Sequence, residues 1–202
     1  MKKIAMIVKT NSLEFDDRIR KVSLALSKDA DVKIFALLND NTEKDDITSY
    51  RIHYHSFSLR SRALFPSKKL LLLKTLEFYL KVIMHVRKYD VLWANDENTF
   101  LFPLFAKKNK TVWDLHEIPE LFLNNKCKWI FHYIERKSLK ILHANPFRLD
   151  YLYEQGVISD KSKHSYIRNY PDHIFLEKCI ESPVYERFIK WLKGEKYVYI
   201  QG

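Results

Sequence analysis

Glycine is nearly absent: the 202 residues include only Gly156, Gly194 and Gly202. A chain this poor in glycine carries neither a G-x-G-x-x-G dinucleotide fingerprint nor a Walker phosphate loop, since both need backbone that approaches a ligand without a Cβ. Any phosphate it binds is held by helix N-termini and basic side chains instead. Cysteine is scarcer still. Cys127 and Cys179 stand far apart with no metal-ligand spacing around them, and read as reduced thiols of a cytosolic protein. No window holds the roughly 18 uninterrupted apolar residues that a spanning helix needs. The apolar run at the N-terminus is too short for a signal-peptide core and closes at Lys9. The expectation is a cytoplasmic protein, soluble or peripheral on the inner face of a membrane.

What is plentiful is apolar mass and positive charge. Hydrophobic residues make up 47% and aromatic residues 14% of the chain, enough for a core and too much for a disordered segment. Lys and Arg number 35 against 25 Asp and Glu, a formal net charge of +10. Such a surface suits nucleic acid, an anionic membrane or phosphorylated small molecules. It equally describes a basic protein that is merely soluble.

Hydrophobic periodicity divides the chain into alternating elements. Apolar runs with the look of buried parallel strands fall at 3–9, 32–38, 51–57, 90–94, 111–115, 141–144 and 164–167. Helical spacing falls between them: Phe15, Ile19, Val22 and Leu26, then 68–88, 99–107, 126–139 and 146–155. Pro146 opens the last of these and Gly156 stops it. Polar residues fill 39–48, a basic loop with Pro66 spans 60–69, and Asp172 is placed to cap a short helix. In the 68–88 helix Lys74, Glu77, Lys81, His85 and Lys88 form one narrow polar stripe. That spacing predicts a helix buried on most sides, with Leu70 to Leu73 packed on the sheet.

This alternation implies a doubly wound, mainly parallel α/β sheet with helices on both faces. Ligands of such folds sit at the carboxyl ends of the strands. The residues there are Lys9 to Phe15, Asn95 to Asn98, His116 to Pro119, Asn145 and Arg168 to Asp172. Val184 to Leu192 reads as a helix. Tyr197 to Ile200 reads as a strand that follows a polar linker and looks like the opening of another domain. The expected division is therefore 1–182 and 183–202.

Several segments, in order, resemble a known family. They are Asp17-Arg18-Ile19-Arg20 at a helix start, Tyr89-Asp90-Val91-Leu92-Trp93-Ala94-Asn95-Asp96, Trp113-Asp114-Leu115-His116-Glu117, Ile167-Arg168-Asn169-Tyr170-Pro171-Asp172, and the closing Tyr197-Val198-Tyr199-Ile200-Gln201-Gly202. Together they look like the N-terminal domain of family-4-type retaining glycosyltransferases of the GT-B fold. The resemblance implies a Rossmann-like, acceptor-side half of an enzyme that moves a sugar from a nucleotide-sugar to a hydroxyl of a glycan or lipid-linked acceptor, as in cell-surface polysaccharide or glycolipid synthesis. It implies no metal and no cofactor, the nucleotide-sugar being a substrate. It also implies that this chain alone does not turn over, because the donor-gripping residues belong to the second domain. Many relatives have a Gly-rich loop after the first strand. Here the loop is Thr10-Asn11-Ser12-Leu13-Glu14, so side-chain contacts from Asn11 or Ser12 replace it.

The resemblance makes His116 and Glu117 the catalytic candidates, His116 bonding the donor sugar or acceptor and Glu117 fixing the imidazole or the acceptor hydroxyl. The plain alternative is a histidine that satisfies loop backbone. Asp96 is either an acceptor contact or a cap for the following helix. Asp17 complements a helix dipole or contacts substrate, and Arg18 pairs with a carboxylate or does the same. Arg168 suits a phosphate, and Asn169 suits a ligand or a turn. Arg60, Arg62, Lys68 and Lys69 beside the leucines suit a membrane surface. A basic α/β module binding nucleic acid is the competing class. No helix-turn-helix, RNP or zinc pattern supports it, so no specific nucleic-acid partner is expected. A receiver domain phosphorylated at Asp16-Asp17 is discounted, since the acidic pair lies past a loop.

Overall fold

A computed structural model describes residues 1–10, 13, 16–38, 52–64, 70–168 and 183–192. The loop expected at 39–48, the cap at Asp172 and the strand at 197–200 fall outside them, as do Asn11, Ser12, Lys68, Lys69 and Asn169. The chain divides into two compact units, Met1–Arg168 and Asn169–Gly202.

Among the described residues of the first unit seven strands are found: β1 (Lys2–Thr10), β2 (Ala30–Leu38), β3 (His53–Ser56), β4 (Val91–Asn95), β5 (Thr111–Leu115), β6 (Lys140–His143) and β7 (His164–Tyr166). They form one sheet in the order β3-β2-β1-β4-β5-β6-β7, and every neighbouring pair is parallel. Parallel strands covered on both faces read as unbroken apolar runs. That is why Ile4 to Val8 of β1 and the whole of β5 are buried. The strand order reverses between β1 and β4, and the crevice at their carboxyl ends is the expected ligand position.

The helices are α1 (Asp17–Leu26), α2 (Arg60–Leu64), α3 (Leu71–Val86), α4 (Leu101–Phe105), α5 (Glu120–Leu123), α6 (Lys128–Lys137) and α7 (Pro146–Glu154), with α8 (Pro183–Leu192) in the second unit. Their ends are chemically marked. The Asp16 carboxylate accepts from Ile19 N at the start of α1, and Asn145 Oδ1 accepts from Arg148 N at the start of α7, where Pro146 needs no donor. Gly156 then takes φ +65°, a conformation that side chains resist. Phe78, Phe102 and Phe131 of α3, α4 and α6 pack on one face of the sheet, and Ile19 of α1 packs on the other. Trp113, Phe122 and Phe131 form a buried aromatic knot with ring centroids 5.5–5.8 Å apart.

Two helical expectations need correction. Part of the expected 60–69 loop is α2, whose first backbone N–H groups, Arg60 N and Ser61 N, donate to Glu77 at 2.8 and 2.9 Å. This cap holds the Glu77 carboxyl down at about 2: burial raises it, but the bonds from Ser61, Lys81 and Arg60 outweigh burial. The second correction concerns α3, which is not buried on most sides. The first part of its polar stripe faces inward, while His85 and Lys88 are exposed: Lys74 is buried, Glu77 caps α2, and Lys81 Nζ donates to Ser58 O at 2.6 Å. Phe78, Val82 and Val86 enter the core, so the opposite side, with Leu70 to Leu73, Leu76, Leu80 and Met84, is exposed. Periodicity reveals that stripes exist. Which stripe faces inward is decided here by α2, whose N-terminus needs an acceptor.

Candidate active site

The carboxyl edge of β4 and β5 gathers the charges. Asp114 lies inside β5, fully buried, on the face covered by α1. Arg18, in the first turn of α1 and also buried, meets it with two nitrogens: Nη2 pairs with Oδ1, and Nε donates to Oδ2 at 3.3 Å. Its remaining nitrogen, Nη1, donates to Ile167 O at 2.8 Å. One guanidinium thus ties α1, β5 and the segment leaving β7. This places the β5 edge and the approach to residue 168 on the same rim.

Asp96, the first residue after β4, is held from four directions. Its N–H donates to Asp114 O at 2.8 Å, and its carbonyl accepts from Trp113 Nε1 at 3.0 Å and Thr99 Oγ1 at 2.8 Å. Its Oδ1 accepts from His116 N at 3.2 Å. These bonds hold the backbone at φ 65°, ψ 166°, a region that is essentially glycine's and costs about 1–3 kcal/mol for other residues. Asp96 therefore does more than end a strand, and strain of this kind clusters at functional sites. Asn95, just before it, is buried and ties β4 to β1 through Nδ2 and Ile7 O at 3.0 Å.

The His116 ring lies between two carboxylates. Nδ1 is 3.4 Å from Asp96 Oδ2. Nε2 is 3.7 Å from Asp114 Oδ2, beyond hydrogen-bond reach though close enough for charge attraction, and it is buried with no hydrogen-bond partner among the described residues. Burial pulls the imidazole pKa down, but Asp114 and Asp96 outweigh burial and raise it above the ordinary value. Burial pushes the Asp96 carboxyl up despite His116, with Asp16 and Asp114 adding to the rise. Burial also opposes ionisation of Asp114, yet His116 and Arg18 hold its carboxyl below the usual range. The arrangement is an imidazole at the sheet edge whose charged form the two carboxylates favour, backed by the Arg18–Asp114 ion pair.

The sequence candidates distribute as follows. His116, Asp96 and Arg18 come together. Glu117 does not meet the imidazole, which faces Asp96 and Asp114. It is exposed and pairs with Arg148 Nη2 at 3.3 Å, while Arg148 Nη1 donates to His116 O. Asp17 pairs with Arg20 and Lys21 on its own helix, and its neighbour Asp16 is the acid whose charge reaches Asp96. Arg168 is exposed, its guanidinium 5.7 Å from the Tyr166 ring centroid. Asp114, Asp16 and Arg148 were not among the candidates. A charged residue inside the apolar run Thr111-Val112-Trp113-Asp114-Leu115 was the available signal, because a buried acid needs a partner. Among the described residues no group of three or more His, Cys, Asp or Glu is arranged to hold a metal ion, and no helix is long and apolar enough to cross a membrane.

No family model matches the sequence, and no curated protein matches it. Solved structures do match in fold. Sucrose-phosphate synthase from Thermosynechococcus elongatus aligns with 85% of this chain and 49% of its own at 10% identity, with a TM-score of 0.61. HepE from Anabaena, solved with UDP and glucose, aligns with 85% of this chain and 45% of its own at 14% identity, with a TM-score of 0.57. A UDP-N-acetylglucosamine 2-epimerase aligns with 88% and 54% at 9% identity, with a TM-score of 0.55. The fold is Rossmann-like, of the GT-B kind. The chain spans about half the length of these structures. A synthase and an epimerase share the architecture, so the reaction has to be argued from the site.

Proposed function

We propose that this chain is the acceptor-side half of a glycosyltransferase that moves a sugar from a nucleotide-sugar to a glycan or lipid-linked hydroxyl, and that residues 183–202 lead into its donor-binding domain. The observation that carries the reading is the position of the His116 ring at the carboxyl edge beside the β1/β4 crevice, between Asp96 and Asp114, which favour its charged form. A cationic donor there suits a sugar hydroxyl or the oxygen that gains charge as the glycosidic bond to the diphosphate breaks. Arg18 and Asp114 stay paired with each other behind the ring and do not enter the chemistry. Glu117, open to solvent, is available to an acceptor hydroxyl, and Arg168, with Asn11, Ser12 and Asn169, to the polar groups of either substrate. A solved structure of similar fold holds UDP and glucose, which supports a uridine-linked donor.

Retention at the anomeric carbon is the stereochemistry that the family resemblance implies, and a His116 pKa raised by Asp114 and Asp96 suits a donor rather than a base. One observation favours a second reading. Asp96 is only partly buried and its pKa is raised, which suits a general base and direct, inverting displacement. The test is transfer by the protein that contains this chain, run over a panel of nucleotide-sugars and glycan or polyprenyl-linked acceptors, with NMR of the product's anomeric proton. Transfer with retention is expected. Inversion selects the Asp96 reading, and epimerisation of the donor without transfer contradicts both.

A further inference from the structure

The outward side of α3 is apolar where a solvated helix is polar. Leu72, Leu76, Leu80 and Met84 form a row at four-residue steps and are 42–70% exposed. Leu64 and Leu70 extend it at one end. Contiguous patches of several hundred Å² on a protein surface mark interaction sites. Helices α4 and α6 lie beside α3 on the same face of the sheet and add Phe105, Trp129 and Tyr133, all exposed.

Inside α3, α4 and α6 no acid is exposed, although Asp90 after α3 and Glu120 before α6 are exposed at the edges. The three helices contain two acids, and both are engaged inward: Glu77 caps α2, and Glu135 is buried against His164 and Ser159. The bases are exposed: Arg87 and Lys88 after α3, Lys107 and Lys108 after α4, and Lys126 and Arg136 at α6. Among the described residues no ion pair joins any of these six to a carboxylate. Between α3 and α4 a cavity of about 410 Å³ has apolar walls that include Tyr79, Ile83 and Phe105 and a rim that includes Arg87, Lys107 and Lys110. Lys110 Nζ already reaches the Arg87 carbonyl at 3.3 Å.

From this we infer that the α3–α4–α6 face docks on an anionic lipid bilayer. The leucine row and Trp129 enter the headgroup boundary, and an acidic phospholipid headgroup sits at the Arg87–Lys107–Lys110 rim. Leucine, tryptophan and tyrosine interleaved with a majority of lysine and arginine are the signature of an interfacial surface. A second copy of this basic face would be repelled, and nucleic acid would leave the leucines uncovered. The inference moves membrane contact from the Arg60–Lys69 cluster to the flank of the sheet. It stands whether or not the chain transfers sugar.

Cosedimentation of the whole chain with phosphatidylglycerol vesicles tests it, with phosphatidylcholine vesicles as the comparison. Expected are binding to the acidic vesicles only, weakening as salt rises, and a loss of about tenfold or more in Leu76→Glu/Leu80→Glu. That variant keeps the parent's melting temperature because both side chains are already exposed. Arg87→Glu/Lys107→Glu is expected to lose a similar factor. Several results would overturn the inference: no binding at low salt, equal binding to both vesicle types, unchanged binding of either variant, or a dimer in sedimentation equilibrium that the leucine variant dissociates. Capture by a single-stranded oligonucleotide without vesicle binding points to nucleic acid instead.

Discussion

Arg18 and Asp114, 96 residues apart in sequence, meet in the interior with the guanidinium Nε donating to the carboxylate at 3.3 Å. The pair shows how this fold builds a polar site with almost no glycine. Where a glycine-rich loop brings backbone to a ligand, here a helix start delivers a buried cation to a strand. Replacing Arg18 with Met leaves Asp114 as an unpaired buried charge, and the expected cost is about 3–5 kcal/mol. Urea unfolding at pH 7 measures it, and a loss under about 1 kcal/mol would mean that water already solvates the carboxylate.

Asp96 carries strain and function at one position. Asp96→Gly relieves the left-handed backbone, whereas Asp96→Ala keeps the strain and loses the same carboxylate. The glycine variant is expected to exceed the alanine variant by about 1–3 kcal/mol in stability. Both should be equally poor in transfer. Equal melting temperatures for the two variants would show that the backbone is not strained in solution.

The His116 imidazole should titrate above the ordinary value of about 6.5, and Asp96→Asn should lower it. Because its folded pKa is raised, this ring adds stability below the unfolded pKa, and that contribution is lost as pH rises through the folded pKa. Long-range proton–nitrogen NMR of the ring reads the pKa directly. A value at or below about 6.5 would remove the imidazolium from the mechanism.

A second histidine works in the opposite direction. His143 Nε2 is 2.8 Å from His164 Nδ1, and His164 Nε2 is 2.9 Å from Glu135 Oε1, all buried. Burial, then the neighbouring His164, hold His143 down at about 3. Below pH about 6.5 the unfolded chain gains a proton that the folded one refuses, so stability falls with acid by up to about 1.4 kcal/mol per pH unit. The window closes near the folded value of about 3. Glu135, held at about 2, adds to the loss below pH about 4.5. His143→Gln should flatten the slope between pH 6.5 and 4.5. An unchanged slope in melts over that range would place the acid sensitivity elsewhere.

The sheet was legible because buried parallel strands are apolar runs, and each of the seven expected strands is present with ends shifted by a few residues. The four-residue α5 was not, because it is too short to show a period. Around the site, His116 and Asp96 could be found from their positions after strands. Asp114 stood in plain view in Trp113-Asp114-Leu115, but the partner that explains it, Arg18, is fixed only by the packing of α1 on the sheet. The reversed burial of α3 has the same origin: a stripe pattern is local, while the face that is buried depends on α2 and Glu77.

Kinetics of His116→Ala in the protein that contains this chain test the central claim most directly. With the fold intact by melting temperature, kcat/KM for sugar transfer should fall by about 10²-fold or more, the usual consequence of removing a preorganised donor from a reacting oxygen. Turnover close to that of the unsubstituted enzyme would contradict the account.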